Sequence, residues 1–424
     1  MRFETNETHD ASLRSWVETA NSAETDFPIQ NLPSCRFEHK GEVGIGVAVG
    51  DFIVDLKRYF EIVGVPSCDV TMEIALSSDT RQSLSRDLRE GCDEARKKEI
   101  AAKALIPMSL CRFLAPFEIG DYTDFYCSIF HATNVGSMFR PDNPLLPNYK
   151  YIPIGYHGRA SSIVMSGTPV VRPKGQNRSD VENPPVFVPS RSLDYEMEVG
   201  FYVSKGNELG ASIPLADAEN HIAGLCLVND WSARDLQSWE YQPLGPFLAK
   251  NFATTISPFV VSLEALAPFR TSAFARPEGD PSPLPYLSDE ANEKAGGFDV
   301  SLDVLLVTEK MRKEKSEPYL LSRSNLKDLY WTIAQMLTHH SSNGCNMRNG
   351  DLIATGTVSG RDKSERGCLL ELTWRGTEPI ELPSGETRRF LEDGDEIIMR
   401  GSCEREGFRR IGFGECRGVI LPAH

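Results

Sequence analysis

The chain has 424 residues and a formal charge of −15, from 45 Lys and Arg against 60 Asp and Glu, in ordinary globular proportions of 40% hydrophobic and 25% charged residues. That composition excludes a disordered or collagen-like chain, and the length allows a sizeable core and two to four units at roughly 100–200 residues each. The acidic balance argues against nucleic acid or an anionic membrane as partner, because phosphate binding needs a basic face; it is compatible with a local cationic pocket for a small anion.

Residues 1–25 are polar and acidic and read as a flexible N-terminal extension, without the basic and apolar regions of a signal peptide. No apolar run approaches the roughly 18–20 residues of a membrane span. Ten cysteines are too sparse for a disulfide scaffold, and the absence of Cys-x-x-Cys removes the usual zinc and redox motifs, so the thiols are expected to be reduced in a cytoplasmic protein. From Asp26 the text changes. GEVGIGVAVGDFIVDL mixes Gly with Val, Ile and Phe and predicts short strands joined by tight turns. Val70 to Leu105 carries Leu, Ile and Ala among many charges and predicts helices on the outside of a small unit. Pro107 and Pro116 mark its end, which places a domain at 26–116 and a larger one at 117–424.

From Asp121 the chain is rich in Gly, Pro, aromatic and β-branched residues, the pattern of a mainly β domain. In SLDYEMEVGFYV, Leu193, Tyr195, Met197, Val199, Phe201 and Val203 alternate with Asp194, Glu196, Glu198, Gly200 and Tyr202, a period-two strand. Residues 266–298 read as an excursion loop. Leu326, Leu329, Tyr330, Ile333 and Leu337 follow a helical period, with Ser324 or Asn325 as cap and Gly344 at the end.

Chemistry concentrates at a few places. Asp194, Glu196 and Glu198 project from one strand face about 6.5–7 Å apart. Two readings stand: a solvated polar face, or a divalent cation held by Glu196 and Glu198, since hard cations take carboxylate oxygens. Asp230 ends the apolar run GLCLVNDW and Asp124 sits among aromatics in DYTDFYCSIFHATNVG; each is either a turn-forming Asp or a further ligand. Arg234, Gln237 and Lys250 add polar and cationic groups. His131, His157 and the pair His339–His340 are the candidate bases among the histidines, and spacing does not choose among them. No G-x-S-x-G elbow and no phosphate-binding G-x-x-x-x-G-K-[ST] loop is present.

The blocks DFPIQNLP, DYTDFY, HATNVG, GYHGRASS, NDWSARDLQ, WEYQPLGPFLAK, LTHHSSNGCN, GDLIATGTVSG and RRIGFGECRG, in one order from about Asp26 to the C-terminus, closely resemble the eukaryotic-type fumarylacetoacetase family. The resemblance implies a mainly β fold with some α: a small SH3-like N-terminal β-barrel and a larger C-terminal β-sandwich or roll carrying the site, in a homodimer. It implies hydrolysis of the C–C bond of a dicarboxylate β-diketone, fumarylacetoacetate, to fumarate and acetoacetate, with acylpyruvate hydrolase or a related keto-acid enzyme as the alternative. Family roles carried onto matching positions put Ca²⁺ on Asp124, Glu196, Glu198 and Asp230. The base falls on His131 supported by Glu371, and the oxyanion groups on Arg234, Gln237 and Lys250. Substrate contacts fall on Tyr126, Arg140, Tyr156, Gln237, Tyr241 and Thr357. A second, structural Mg²⁺ falls on Asp230, Lys250 and Thr254, where the lysine is expected to offer its backbone carbonyl, because a protonated amine is a poor ligand. Two stretches, 1–25 and 270–298, depart from the family pattern and carry no motif residue.

Overall fold

A computed structural model describes residues 4–65, 69–178 and 182–424. Near the N-terminus five antiparallel strands form one sheet in the order Leu105–Pro107, Phe52–Asp55, Glu42–Val49, Ser34–His39, Arg112–Leu114. The Gly-rich run predicted as strands supplies two of them. Helices Leu56–Ile62, Met72–Ala75, Ser78–Leu88 and Glu94–Lys103 occupy the charged stretch that follows, and side chains of Asp55, Thr71, Ser77 and Asp93 cap their N-termini.

The extension expected to be flexible is instead built into this unit over its described part. Val17 and Ala20 lie in the core with Tyr59 and Leu84. Ser15 bridges to Arg89, and the Trp16 indole donates to the Asp87 carbonyl at 2.9 Å. A few well-spaced apolar residues are enough to dock a polar segment, which composition alone does not reveal. The same segment reaches the rest of the chain: His9 Nε2 stands 2.8 Å from the Glu264 carbonyl, and Asn6 donates to the Glu264 side chain at 2.8 Å.

The larger part is organised on a seven-stranded mixed sheet, in which Met197–Val203 lies between Leu352–Ala354 and Ile222–Asp230. A second, five-stranded sheet contains Ser301–Val307, Glu396–Cys403 and Ile411–Leu421. Every residue of Met197–Val203 is buried. Val199, Phe201 and Val203 face the largest core, while Tyr202 packs with Val228, Leu352 and Phe117 in another. The strand is therefore covered on both faces, and the reading of its carboxylates as a solvated face is overturned: a central strand sandwiched by two cores has no wet side.

Two local expectations are also corrected. The helical period from Leu326 splits into a single turn, Leu326–Asp328, and a helix, Ile333–Ser341, capped by Thr332. The apolar residues at 326–330 are buried without belonging to that helix. The 266–298 stretch holds a short strand pair, Arg270–Thr271 with Gly297–Phe298, and the helix Glu290–Ala295, with Phe269 and Phe298 in the core. Among the described residues no helix is long and apolar enough to cross a membrane, and nine cysteines are unpaired.

Candidate active site

Three strands and the break before one of them deliver four carboxylates to one point. Asp124 comes from Tyr122–Phe125 and Glu198 from Met197–Val203. Asp230 is the last residue of Ile222–Asp230, as its place at the end of an apolar run predicted. Glu196 lies in a break of the strand, where its N–H bonds the Asn229 side chain at 3.2 Å rather than a regular ladder partner. One ligand atom of each carboxylate lies within 4.8 Å of the others, and all four residues are buried.

Like charges this close in a dry interior repel unless something neutralises them. Lys250 Nζ does so on one side, donating to Glu196 at 2.5 Å and Asp230 at 2.6 Å. Arg234 Nη1 meets Glu196 at 2.8 Å. Burial works to raise Glu196, but Lys250, Arg234 and His131 outweigh it and hold its carboxyl below the usual range. Burial followed by the neighbouring carboxylates pushes Glu198 and Asp124 well up. Neither Glu198 oxygen, nor Asp124 Oδ1, has a hydrogen-bond partner among the described residues. Buried acceptors left without donors are the signature of a missing partner, and an all-oxygen set suits a hard divalent cation. The chain's own residues therefore fit a metal here. The lysine's role differs from the expected one: its ammonium, rather than its backbone carbonyl alone, is engaged with the cluster.

A histidine–carboxylate pair, His131 with Glu371, is assembled beside this cluster. Ser128 caps the helix Ile129–Phe139, its hydroxyl accepting from the His131 N–H at 3.2 Å and donating to the Ser359 carbonyl at 2.8 Å. This fixes the first turn and directs His131 inward. His131 Nδ1 lies 2.6 Å from Glu371 Oε2, and His131 Nε2 lies 4.0 Å from Glu196 Oε1. Glu371 is also held by Asn134 at 2.8 Å, Ser359 at 2.8 Å and the Cys368 thiol at 3.2 Å. Burial alone would raise its carboxyl; His131, Asn134 and Ser359 overcome that and bring it down to about 2. Oε2 and Nδ1 are at hydrogen-bond separation, so His131, Cys368 and Glu371 form a bonded network.

Of the histidines the sequence left open, His131 meets Glu371, whereas His340 Nε2 bonds Thr123 at 2.7 Å, His339 meets the Tyr286 hydroxyl at 2.9 Å, and His157 is exposed. Around the cluster, Tyr156 donates to Asp230 at 2.9 Å, the Tyr126 ring meets His131 edge-on at 5.2 Å, and Arg234 donates to Gln237 at 3.2 Å. Thr254 Oγ1 reaches Asp230 Oδ1 at 3.4 Å. Thr357 is buried, and its hydroxyl has no partner among the described residues. Its neighbour Gly356, at φ +75°, lies against Phe125, where a Cβ would stand 2.2 Å from that carbonyl oxygen. Arg140, exposed at the C-terminal end of its helix, donates to the Pro144 carbonyl at 3.2 Å, and Tyr241 is the C-cap of the helix Arg234–Glu240. A cavity of about 210 Å³ opens onto Asp230, Lys250 and Thr254 between Tyr156, His157 and Arg159.

The model of the fumarylacetoacetate (FAA) hydrolase C-terminal family matches residues 122–420. The chain belongs to the fumarylacetoacetate hydrolase family. It is 47% identical to the fumarylacetoacetase of Bos taurus over 420 residues, covering 94% of this chain and 97% of that protein. It is 46% identical to that of Homo sapiens over 418 residues, with 94% and 97% covered. It is 44% identical to that of Oryza sativa over 433 residues, with 97% and 98% covered. Among solved structures, a fumarylacetoacetate hydrolase from psychrophilic Exiguobacterium antarcticum superposes with a TM-score of 0.51 at 17% identity, covering 93% of this chain and 100% of that one, and shares the fold.

Asn134, Ser359 and Cys368 were missed as site residues by sequence reasoning. Asn134 stands one helical turn after His131, a spacing that would have found it; Ser359 and Cys368 carry no such local signal.

Proposed function

We propose that this chain hydrolyses the C–C bond of fumarylacetoacetate, giving fumarate and acetoacetate, as the closing step of tyrosine and phenylalanine breakdown. The single observation that carries the reading is the buried His131–Glu371 pair standing 4.0 Å from a carboxylate quartet with unsatisfied oxygens. The high identity to curated fumarylacetoacetases over nearly their whole length supports the substrate.

In this reading His131 takes a proton from water at Nε2, while Glu371 accepts from Nδ1, fixes the tautomer and stabilises the imidazolium that forms. Arg234, Gln237 and Lys250 face the oxyanion of the tetrahedral intermediate. Arg140 and Tyr126 bind a terminal carboxylate of the substrate, with Tyr156, Gln237, Tyr241 and Thr357 completing its contacts. Lys250 protonates the departing carbon. Asp124, Glu196, Glu198 and Asp230 hold a divalent cation, Ca²⁺ in our reading, and when bound it supplies Lewis-acid stabilisation of the diketone and enolate oxygens. Asp230, Thr254 and the Lys250 backbone carbonyl, its ammonium being engaged with Glu196 and Asp230, hold a second, structural Mg²⁺.

We further propose that 26–116 is an SH3-like domain, 117–424 the catalytic domain, and the protein a cytoplasmic homodimer. A small all-antiparallel sheet and nine unpaired cysteines support these readings, as do the exposed Leu244 and Phe247 near the helix carrying Arg234. Fumarylacetoacetate consumption by purified protein, with and without a chelator, tests the function. Loss on chelation and recovery with Ca²⁺ is the expected result. Much faster cleavage of acetylpyruvate would transfer the assignment to an acylpyruvate hydrolase.

A further inference from the structure

Asp194 stands at the same two-residue spacing in the sequence as Glu196 and Glu198, but it ends the separate strand Leu193–Asp194, paired with Ser232–Ala233, and its carboxylate does a different job. Oδ1 accepts from the N–H groups of Tyr195 at 2.9 Å and Leu369 at 2.8 Å; Oδ2 accepts from the Leu370 N–H at 2.9 Å and from Arg234 Nε at 2.9 Å. Two carboxylate oxygens offer about four acceptor sites, so its capacity is filled. Glu198, four residues on in a different strand, has no hydrogen-bond partner among the described residues. The contrast removes Asp194 from the metal set and gives it another place. Leu369 and Leu370 open the short helix Leu369–Leu372, whose own preceding residue, Cys368, supplies no side-chain cap. Asp194 therefore provides that cap from 175 residues away. Glu371 lies on the same turn.

We infer that Asp194 is a positioning residue that locks Arg234 and the Glu371-bearing turn into one unit, so that a single buried carboxylate sets both the group facing the oxyanion and the partner of the base. The geometry has few degrees of freedom. Asp194 is fully buried, its bond to Arg234 uses Nε, and this leaves Nη1 aimed at Glu196 and Gln237. A guanidinium gripped at two edges has one orientation. A displacement of about 1 Å in such a group is enough to cost about 10²-fold in rate.

The inference rests on the catalytic reading of His131, Glu371 and Arg234 given above, and its test separates the two. Asp194→Asn keeps the shape but brings an N–H₂ group to a place where donors already converge. Expected are a kcat loss of at least about 10²-fold, comparable to losing one oxyanion donor, with KM and calcium affinity within about threefold of the parent. Combined with Glu371→Gln, or with Arg234→Lys, the double variant should be little worse than the poorer single one, as for residues that act as a unit. A purely structural Asp194 would lower Tm while leaving kcat per folded molecule near the parent's; that result, or losses that multiply in both pairs, overturns the inference. Full activity of Glu371→Gln and Arg234→Lys themselves would instead overturn the catalytic reading. Should Asp194→Asn fail to fold, Leu369→Pro decides: proline is tolerated at the first helical position and deletes one N–H donor to Asp194, and Cys368 is already extended, with φ −153° and ψ 160°. A kcat loss of about tenfold or more with calcium affinity retained supports the inference, and a kcat within about threefold refutes it.

Discussion

His131 and Glu371, 240 residues apart in the chain, meet at 2.6 Å between Nδ1 and Oε2, and both are buried. His131→Ala should lower kcat by at least about 10²-fold, the lower bound for a lost general base, while calcium affinity holds. Glu371→Gln should lower kcat with little change in KM. The double variant should be close to His131→Ala alone, because the two act as a unit. Steady-state kinetics on the four proteins checks this, and independent multiplication of the two losses would separate Glu371 from the base.

The same pair predicts a pH dependence of stability. Glu371 is held down to about 2 against an ordinary 4.5. A depressed folded-state value means stability that is complete above the unfolded value and lost as pH falls through the folded one. The stability gap between the parent and Glu371→Gln should therefore be largest above about pH 4.5 and should close toward pH 2. Urea unfolding at stepped pH measures it; a gap that is constant over that window would show that Glu371 stabilises the fold without its charge.

Glu198 combines full burial with two oxygens that have no partner among the described residues. Without metal, Glu198→Gln should be more stable than the parent at neutral pH, because burial and the neighbouring carboxylates disfavour the ionised carboxyl that the unfolded chain carries, and the amide has no charge to lose. With calcium the order should reverse: the parent gains about 2.7 kcal/mol at a hundredfold excess over Kd, and the variant gains less. Thermal scans with chelator and with calcium test the crossing, and parallel shifts in both proteins would place the cation elsewhere.

Lys250 is buried between Glu196 and Asp230. Lys250→Met leaves both carboxylates without their ammonium, a change that costs about 3–5 kcal/mol when one partner of a buried pair is removed. The loss should be largest in chelator and should shrink when calcium is added. Denaturant titration in both conditions checks it; an equal loss in the two would mean that lysine and metal do not share the cluster's charge.

A chain beginning at Asp26 should be less stable than the full one, because Val17 and Ala20 leave the core and the bonds of Ser15 and His9 are lost. A Tm unchanged by the truncation would return residues 4–25 to the status of a loose extension.

Much of the site was legible in the text. Asp230 at the end of an apolar run, the alternation that carries Glu196 and Glu198, and the ordered family blocks are local signals, and local signals survive in one dimension. The period-two pattern correctly read extended backbone at Leu193, Val199 and Phe201, but the one strand it predicted is broken at Tyr195–Glu196 into Leu193–Asp194, paired with Ser232–Ala233, and Met197–Val203 in the seven-stranded sheet. The same pattern misled about the carboxylates, since alternation does not say whether the opposite face meets water or a second core. Likewise the apolar spacing from Leu326 to Leu337 is that of one helix, but burial of Leu329 and Tyr330 against other elements broke it in two. What only the tertiary structure decided is which partners close the remaining valences. Asp194, Glu196 and Glu198 look equivalent along the strand, yet one accepts from four donors, one is gripped by Lys250 and Arg234, and one has no partner. The sequence by itself determined the residue types and their local spacing; the docking of the turn Leu369–Leu372 onto Asp194 and His131 decided their roles, because hydrogen-bond satisfaction is a property of neighbours brought together from distant parts of the chain.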